Sequence, residues 1–280
     1  MKEKLNKIRT VKLYDLKTGG EGASEYSEKN LHHLYVLEIP IFNPDNNFEI
    51  VKDYFKTNNP KKLIEIAENS MCDIIGLNFN CEDLEDAAKA QELLKELLPL
   101  INKPLMIRAF AELLIKLAEI LDRECILAYA DENNYKKIVP YAIKGNHVLV
   151  IKTPIDINLA KEMNILTSDM GLRLDKILID TDTGGLGYGL EYGYSIMEKI
   201  KLEGFFDDEY LNMPLISFIG EESLKTKEAK SKKFQKSWGD FKTRSLMFEI
   251  ASASAIAAAG ANIIVLNHPE TIRTMKGLQR

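Results

Sequence analysis

The chain has 280 residues, a formal net charge of −5, and 45% hydrophobic and 28% charged residues. These are globular proportions, and the intermixed acids and bases supply neither the basic stripe of a nucleic-acid surface nor the patch that binds anionic membranes. A chain of this length buries enough core to need no disulfide or metal staple, and an α/β barrel of about 250 residues would fit in it as one domain.

Residues 1–30 read as a short N-terminal extension. MKEKLNKIRT has no apolar stretch of the kind a signal peptide needs, and GGEGASEYSEKN is a turn-rich loop or cap. From residue 31 to 280 strands and helices alternate. LHHLYVLEIPI (31–41) is the first strand, followed by a short helix at 61–70 and a second strand, CDIIGLNFN (72–80). The clearest helix is 82–101, with Leu84, Ala87, Ala88, Gln91, Leu94 and Leu98 near one face. Then come KPLMIRAF (103–110) with helix 111–122, CILAYA (125–130) with helix 133–145, and HVLVIKTP (147–154) with helix 157–171. KILIDTDT (176–183) leads into helix 190–212 and MPLISFIG (213–220) into helix 245–260, with Gly260 as its stop. Between these last two lies a basic run, KTKEAKSKKFQK (225–236), read as a solvated loop whose functional alternative is a partner contact. ANIIVLNH (261–268) and helix 270–279 close the series.

Several strands are apolar on successive positions, as in parallel sheets buried on both faces. Eight strand–helix units with short links point to a closed (β/α)8 TIM barrel, preferred to an open doubly wound sheet. No run of about 20 apolar residues exists, so no membrane span is expected. Cys72, Cys81 and Cys125 match no zinc or iron–sulfur spacing. Cys72 and Cys125 begin strands and read as small buried hydrophobes, and the usage fits a reducing cytoplasm.

Barrel chemistry sits at the C-terminal ends of the strands. Those ends carry Asn43 and Asp45, Asn78 and Asn80, Asp131 and Asn133, Thr153, Asp156 and Asn158, Asp180 to Thr183, and Asn267 and His268. The face reads as amides, hydroxyls and a few acids, without a Lys, paired His or Ser–His arrangement, and so as a surface for recognition. Asp156 has the alternative of a helix N-cap, and His268 that of a rim histidine bonded to a neighbour. His32, His33 and His147 fall at the opposite rim and read as structural.

After the sixth strand, five glycines and three tyrosines crowd residues 184–197. Gly184, Gly185, Gly187 and Gly189 would let a ligand approach bare backbone, and the spacing is neither a Walker loop nor a dinucleotide fingerprint. Tyr188, Tyr192 and Tyr194 offer flat faces with polar tips, suited to a large planar ligand or to packing of the sixth helix.

PIDINLAKEMNIL (154–166) followed by residues 176–216 resembles the small subunit of the corrinoid iron–sulfur protein, also called the delta subunit of the acetyl-CoA decarbonylase/synthase complex. NYKKIVPYAIKGNHVLVIKTP (134–154), KTKEAK (225–230), WGD (238–240) and GANIIVLNHPETI (260–272) support it. The resemblance implies a non-catalytic barrel subunit paired with a large (gamma) subunit that carries a corrinoid and the iron–sulfur cluster. This chain would hold no cluster and would help enclose the corrinoid. The assembly would accept a methyl group from methyltetrahydrofolate or methyltetrahydropterin through a methyltransferase and deliver it to acetyl-CoA synthase, in the reductive acetyl-CoA pathway. The residues this places against the cofactor are Asp156, Asn158, Thr181, Thr183, Gly184, Gly185, Gly187, Tyr188, Gly189, Glu191, Tyr192 and His268. The competing readings are a free-standing pterin- or folate-binding methyltransferase using Asn78, Asp131 and Asn133, and a divergent structural paralogue.

Overall fold

A computed structural model describes residues 7–24, 32–42, 48–81, 84–183, 186 and 189–279. An antiparallel hairpin comes first, β1 (Val11–Leu13) and β2 (Leu16–Thr18). Eight parallel strands then close a barrel in the order β10-β3-β4-β5-β6-β7-β8-β9. They are β3 (Leu34–Phe42), β4 (Ile74–Phe79), β5 (Leu105–Arg108), β6 (Ile126–Ala130), β7 (Val148–Lys152), β8 (Ile177–Asp180), β9 (Leu215–Ser217) and β10 (Ile263–Leu266). Among the described residues no helix is long and apolar enough to cross a membrane.

Strand side chains alternate between two cores. Val36, Ile74, Met106, Val150, Leu178, Ile216 and Val265 pack together inside the barrel. Their neighbours, among them Leu37, Ile75, Ile107, Ile151 and Ile179, pack outward against the helices. The outer core is the larger, because every helix contributes its apolar stripe to it.

The hairpin closes the N-terminal end of the barrel. Val11 and Leu13 join the inner core beside Ile74, Ile126, Val148 and Ile263. A buried polar cluster fastens the segment behind it. Lys201, in the helix Leu190–Phe205, is 0% exposed and donates to Glu21 and to Asn262 Oδ1 (2.6 Å), while Asn262 Nδ2 donates to Glu21 (2.8 Å). Gly19 bends this segment at φ 76°, where a Cβ would lie 2.2 Å from the Arg9 carbonyl oxygen. His33 Nδ1 lies 2.7 Å from the Ala261 carbonyl, and His147 Nδ1 accepts from the Cys125 amide (3.1 Å); both are structural, at the end away from the strand tips. Cys72 and Cys125 are buried.

Several local expectations shift. The helix Ala87–Leu97 buries Ala87, Ala90, Leu94 and Leu97, whereas Leu84 and Ala88 are exposed, a face rotated from the one expected. The hairpin and the helix Glu49–Phe55 are additions to the expected elements. The basic run is not a plain loop. Lys225 ends the helix Ile219–Lys225, Lys227–Lys230 form a further helical turn, and Arg244 holds the remainder. Arg244 is buried and donates to the carbonyls of Glu228 (2.7 Å), Gly239 (3.1 Å) and Ser231, so one guanidinium ties down three points of the arm. Gly260 ends the helix Phe241–Ala259 in the left-handed region (φ 104°).

Candidate functional site

The inner face of the barrel turns polar at its C-terminal end. Two residues beyond the inner apolar layer, the same period-two face carries Glu38, Arg108, Lys152, Asp180, Phe218 and Asn267, and four beyond Ile74 it carries Asn78. These side chains line two adjoining cavities. The larger, about 480 Å³, is bounded by Glu38, Asn78, Phe79, Arg108, Phe110 and Asp131, among others. The smaller, about 120 Å³, lies over Lys152, Asp180, Asp182, Thr183, Glu222 and Lys225. Arg108, Tyr129 and Glu221 border both.

An ion network organises the mouth. Arg108 Nε lies 2.9 Å from Glu38 Oε1 and its Nη1 lies 2.5 Å from Glu221 Oε2. Lys225 Nζ continues the chain to Glu221 (2.7 Å) and Glu222 (2.9 Å). Across the mouth Lys152 Nζ sits 2.9 Å from Asp182 Oδ2. Both cations also lie over rings, Arg108 at 5.3 Å from the Phe218 centroid and Lys152 at 4.7 Å from that of Tyr129. Burial pushes the Glu38 carboxyl up to about 7, with Arg108 opposing it, and burial does the same to Asp180, with Lys152 opposing. Burial works against Glu221 as well, but Arg108 and Lys225 overcome it and hold that carboxyl down at about 2. The mouth is therefore strongly charged, which corrects the expectation of a neutral, lysine-free rim. The missed residues had a sequence signal. Glu38, Arg108 and Lys152 are the charges inside otherwise apolar runs (LYVLEIPIF, LMIR, VLVIK), and a charge there must find a partner or a ligand.

The residues singled out from the sequence fall in different places. Asp156 is exposed and N-caps the helix Ile157–Asp169, accepting from the amides of Asn158 (2.8 Å) and Leu159 (3.1 Å). Asn158 is exposed in the first turn of that helix. Thr181 and Thr183 are buried, their hydroxyls accept and donate no hydrogen bond, and Thr183 borders the smaller cavity. Gly189 takes φ 109° as it enters the helix Leu190–Phe205, and a Cβ there would meet the Glu191 carboxylate at 2.3 Å. Glu191 is exposed, Tyr192 is 56% exposed, and Tyr194 packs on the core. Gly184, Gly185, Gly187 and Tyr188, with Asn43 and Asp45, lie outside the described residues. His268 is buried; its Nδ1 accepts from the Glu270 amide (3.1 Å), its ring meets Tyr54 edge-on at 4.8 Å, and burial pulls its pKa down to about 4. It caps a helix and borders neither cavity. Asn78 and Asp131 do line the larger cavity, together with Asn134 in place of Asn133.

Among the described residues no cluster of His, Cys, Asp or Glu could hold a metal ion. For a corrinoid the fit is partial. The macrocycle with its amide fringe is too large for either cavity and can only lie across the mouth. There the exposed Tyr192 ring offers a neutral contact, whereas the Thr183 hydroxyl is buried beneath the surface.

Eight parallel strands with helices between them and a cavity at their C-terminal ends define a (β/α)8 barrel. The chain belongs to the CO dehydrogenase/acetyl-CoA synthase delta subunit family, whose model matches residues 27–271. The acetyl-CoA decarbonylase/synthase complex subunit delta 1 of Methanosarcina thermophila is 30% identical over 204 residues, 68% of this chain and 46% of that protein. The delta subunit of Methanocaldococcus jannaschii is 29% identical over 196 residues, 67% of this chain and 48% of that protein. The chain thus spans about half the length of the curated relatives it matches. Among solved structures, dihydropteroate synthase from Coxiella burnetii in complex with pteroic acid superposes with a TM-score of 0.60 at 10% identity, covering 97% of each chain. The Xanthomonas albilineans enzyme in complex with 7,8-dihydropteroate gives 0.58 at 10% identity, over 89% of this chain and 94% of that one. At such identity the likeness is one of fold.

Proposed function

We propose that this chain is the non-catalytic barrel subunit of a corrinoid methyl carrier in the acetyl-CoA decarbonylase/synthase system, with its mouth facing a large subunit that bears the corrinoid and the iron–sulfur cluster. The observation that carries the reading is family membership across residues 27–271, which span all eight barrel strands. The methyl-transfer chemistry would be supplied by the corrinoid when bound. This chain would position and shield. Tyr192 would meet the amide fringe with Thr183 packed behind it, and Glu191, Asp156 and Asn158 would line the outer rim. The ion-paired floor beneath would stay closed to oxidants while presenting hydrogen-bonding groups. Methyltransferase and acetyl-CoA synthase would be transient partners reached through the corrinoid subunit.

Co-expression with a corrinoid-binding large subunit tests this. Co-elution at one-to-one stoichiometry with shared cobalamin absorbance is expected, and Tyr192→Ala should weaken it. Separate elution would overturn the proposal. So would methyl transfer from methyltetrahydrofolate to free cob(I)alamin by the isolated chain, which would make it the free-standing methyltransferase instead.

A further inference from the structure

The arm that follows β9 carries charge of the opposite sign to the rest of the chain. Residues 225–242 hold seven lysines against two acids, Glu228 and Asp240, in a protein of net charge −5. The backbone of the arm is fixed. The carbonyls of Glu228, Ser231 and Gly239 all meet the buried Arg244 guanidinium, and the Ser245 hydroxyl donates to the Ala229 carbonyl. Three points of the arm thus converge on one group, and the lysines around them share one compact surface. Two lysines are committed to ion pairs, Lys225 with Glu221 and Glu222 at the mouth and Lys232 with Glu49. Lys227, Lys230, Lys233 and Lys236 are exposed, and no carboxylate among the described residues pairs with them. Beside them stands the one tryptophan of the chain, Trp238, 52% exposed. Phe234 braces it edge-on at 5.3 Å and rests in turn on Arg244, whose guanidinium lies 5.0 Å from the ring centroid. Like charges gathered on an anchored segment repel one another, and an opposing acidic surface relieves that cost. A half-exposed indole on a fixed support is the kind of anchor that dominates protein interfaces, and a segment already ordered loses little freedom on docking.

We propose that residues 226–242 are a docking arm for a protein partner whose facing surface is acidic, with Trp238 as the apolar anchor and Lys227, Lys230, Lys233 and Lys236 as the charges that steer and orient it. Rim charges act chiefly on association rate and salt dependence, whereas an aromatic anchor buried by the partner acts on dissociation. A protein fits this arm better than a nucleic acid does. A nucleic-acid surface would carry its basic stripe beyond one short segment, and this chain is acidic overall. The inference rests on the function proposed above in taking the partner to be the corrinoid-bearing large subunit. The arm sets out from Lys225, which borders the mouth that this subunit would cover.

The test is the dissociation constant and association rate of the full chain with a purified corrinoid-bearing large subunit, at low and at physiological ionic strength. Lys227→Gln, Lys230→Gln, Lys233→Gln and Lys236→Gln together should weaken binding about tenfold or more at low salt, mainly through slower association, and should flatten its salt dependence. Trp238→Ala should weaken binding about tenfold or more at both ionic strengths, through faster dissociation. Gln at Lys62, Lys95, Lys116 and Lys144, exposed on the helices that follow β3 to β6, removes the same charge elsewhere and should leave binding nearly unchanged. All the substituted side chains are exposed, and unchanged far-UV circular dichroism checks that the variants fold. Native affinity and native salt dependence in the arm variants would overturn the inference, and so would an equal loss from the control substitutions. Loss confined to binding of a single-stranded RNA oligonucleotide, with the large subunit held as before, would overturn it in favour of nucleic acid. If the native chain binds no large subunit at all, the proposed function falls and this inference with it; binding that ignores the arm refutes this inference alone.

Discussion

Replacing Arg108 by Leu should expose how much the mouth depends on one guanidinium. Arg108 lies between Glu38 and Glu221, 2.9 Å and 2.5 Å away, and its side chain is 15% exposed. Leu fills much of the volume but leaves two carboxylates without their cation. Removing one partner of a buried ion pair costs about 3–5 kcal/mol, mainly through the charge left behind. The loss here should fall in that range at pH 7.5, lessened by Lys225, which still reaches Glu221 (2.7 Å). Its pH dependence follows from Glu38. That carboxyl is already pushed up to about 7 by burial, against Arg108, and without the cation it moves higher. A carboxyl raised in the folded state is not penalised below its unfolded value and becomes penalised as pH rises toward the folded one. The deficit of the variant should therefore shrink at pH 5. Adding Glu38→Gln should restore part of the loss, with a coupling of up to about 1 kcal/mol, because a carboxyl whose folded value is near 7 escapes most of the penalty by taking up a proton, and Glu221 carries the larger share. Urea unfolding of the four proteins of the cycle, with unchanged slopes, measures this. A deficit under about 1 kcal/mol at pH 7.5 with no coupling would refute the reasoning, since it would fall below the range for broken buried pairs.

Three further outcomes follow from buried polar groups elsewhere. Lys201→Met removes the ammonium that holds Glu21, so limited proteolysis should cut within residues 7–24 before the barrel unfolds, and unchanged cleavage would contradict the cluster's role. Arg244→Ala removes the donors to Glu228, Ser231 and Gly239, so lysine-specific cleavage between Lys227 and Lys236 should accelerate while far-UV circular dichroism stays as it was. Glu249 is fully buried, accepts from the Asn267 amide (2.8 Å) and from Thr271, and is raised by burial from 4.5 to about 7. Its penalty enters as pH climbs from the unfolded to the folded value. Glu249→Gln should therefore gain on the native chain above pH 8, by up to about 3 kcal/mol at 1.36 kcal/mol per unit, and show no such gain below pH 5.

The barrel was legible because its signal is local. Apolar β-branched runs at regular spacing set the eight strands, and Asp156 and Gly260 marked a helix start and a helix stop that the structure contains. The mouth was less legible. Strand ends were read as the residues following each apolar run, whereas the inward face is set by period two within the run. That rule places Glu38, Arg108 and Lys152 at the cavities and leaves Asp156 and His268 as caps on helices. Glu221 and Lys225 come from the excursion after β9, and only tertiary packing brings them to Arg108. The hairpin escaped notice because its three-residue strands gain stability from the barrel end they cover, which no local pattern reveals.

Hydrogen–deuterium exchange on the chain with and without a corrinoid-bearing large subunit tests the central claim most directly. Exchange should slow at residues 189–192, at 218–240 and at the strand tips around Arg108 and Lys152, while the hairpin at 11–18 stays unchanged. Protection confined to the hairpin end, with the tips of the strands unaffected, would contradict a mouth that faces the partner.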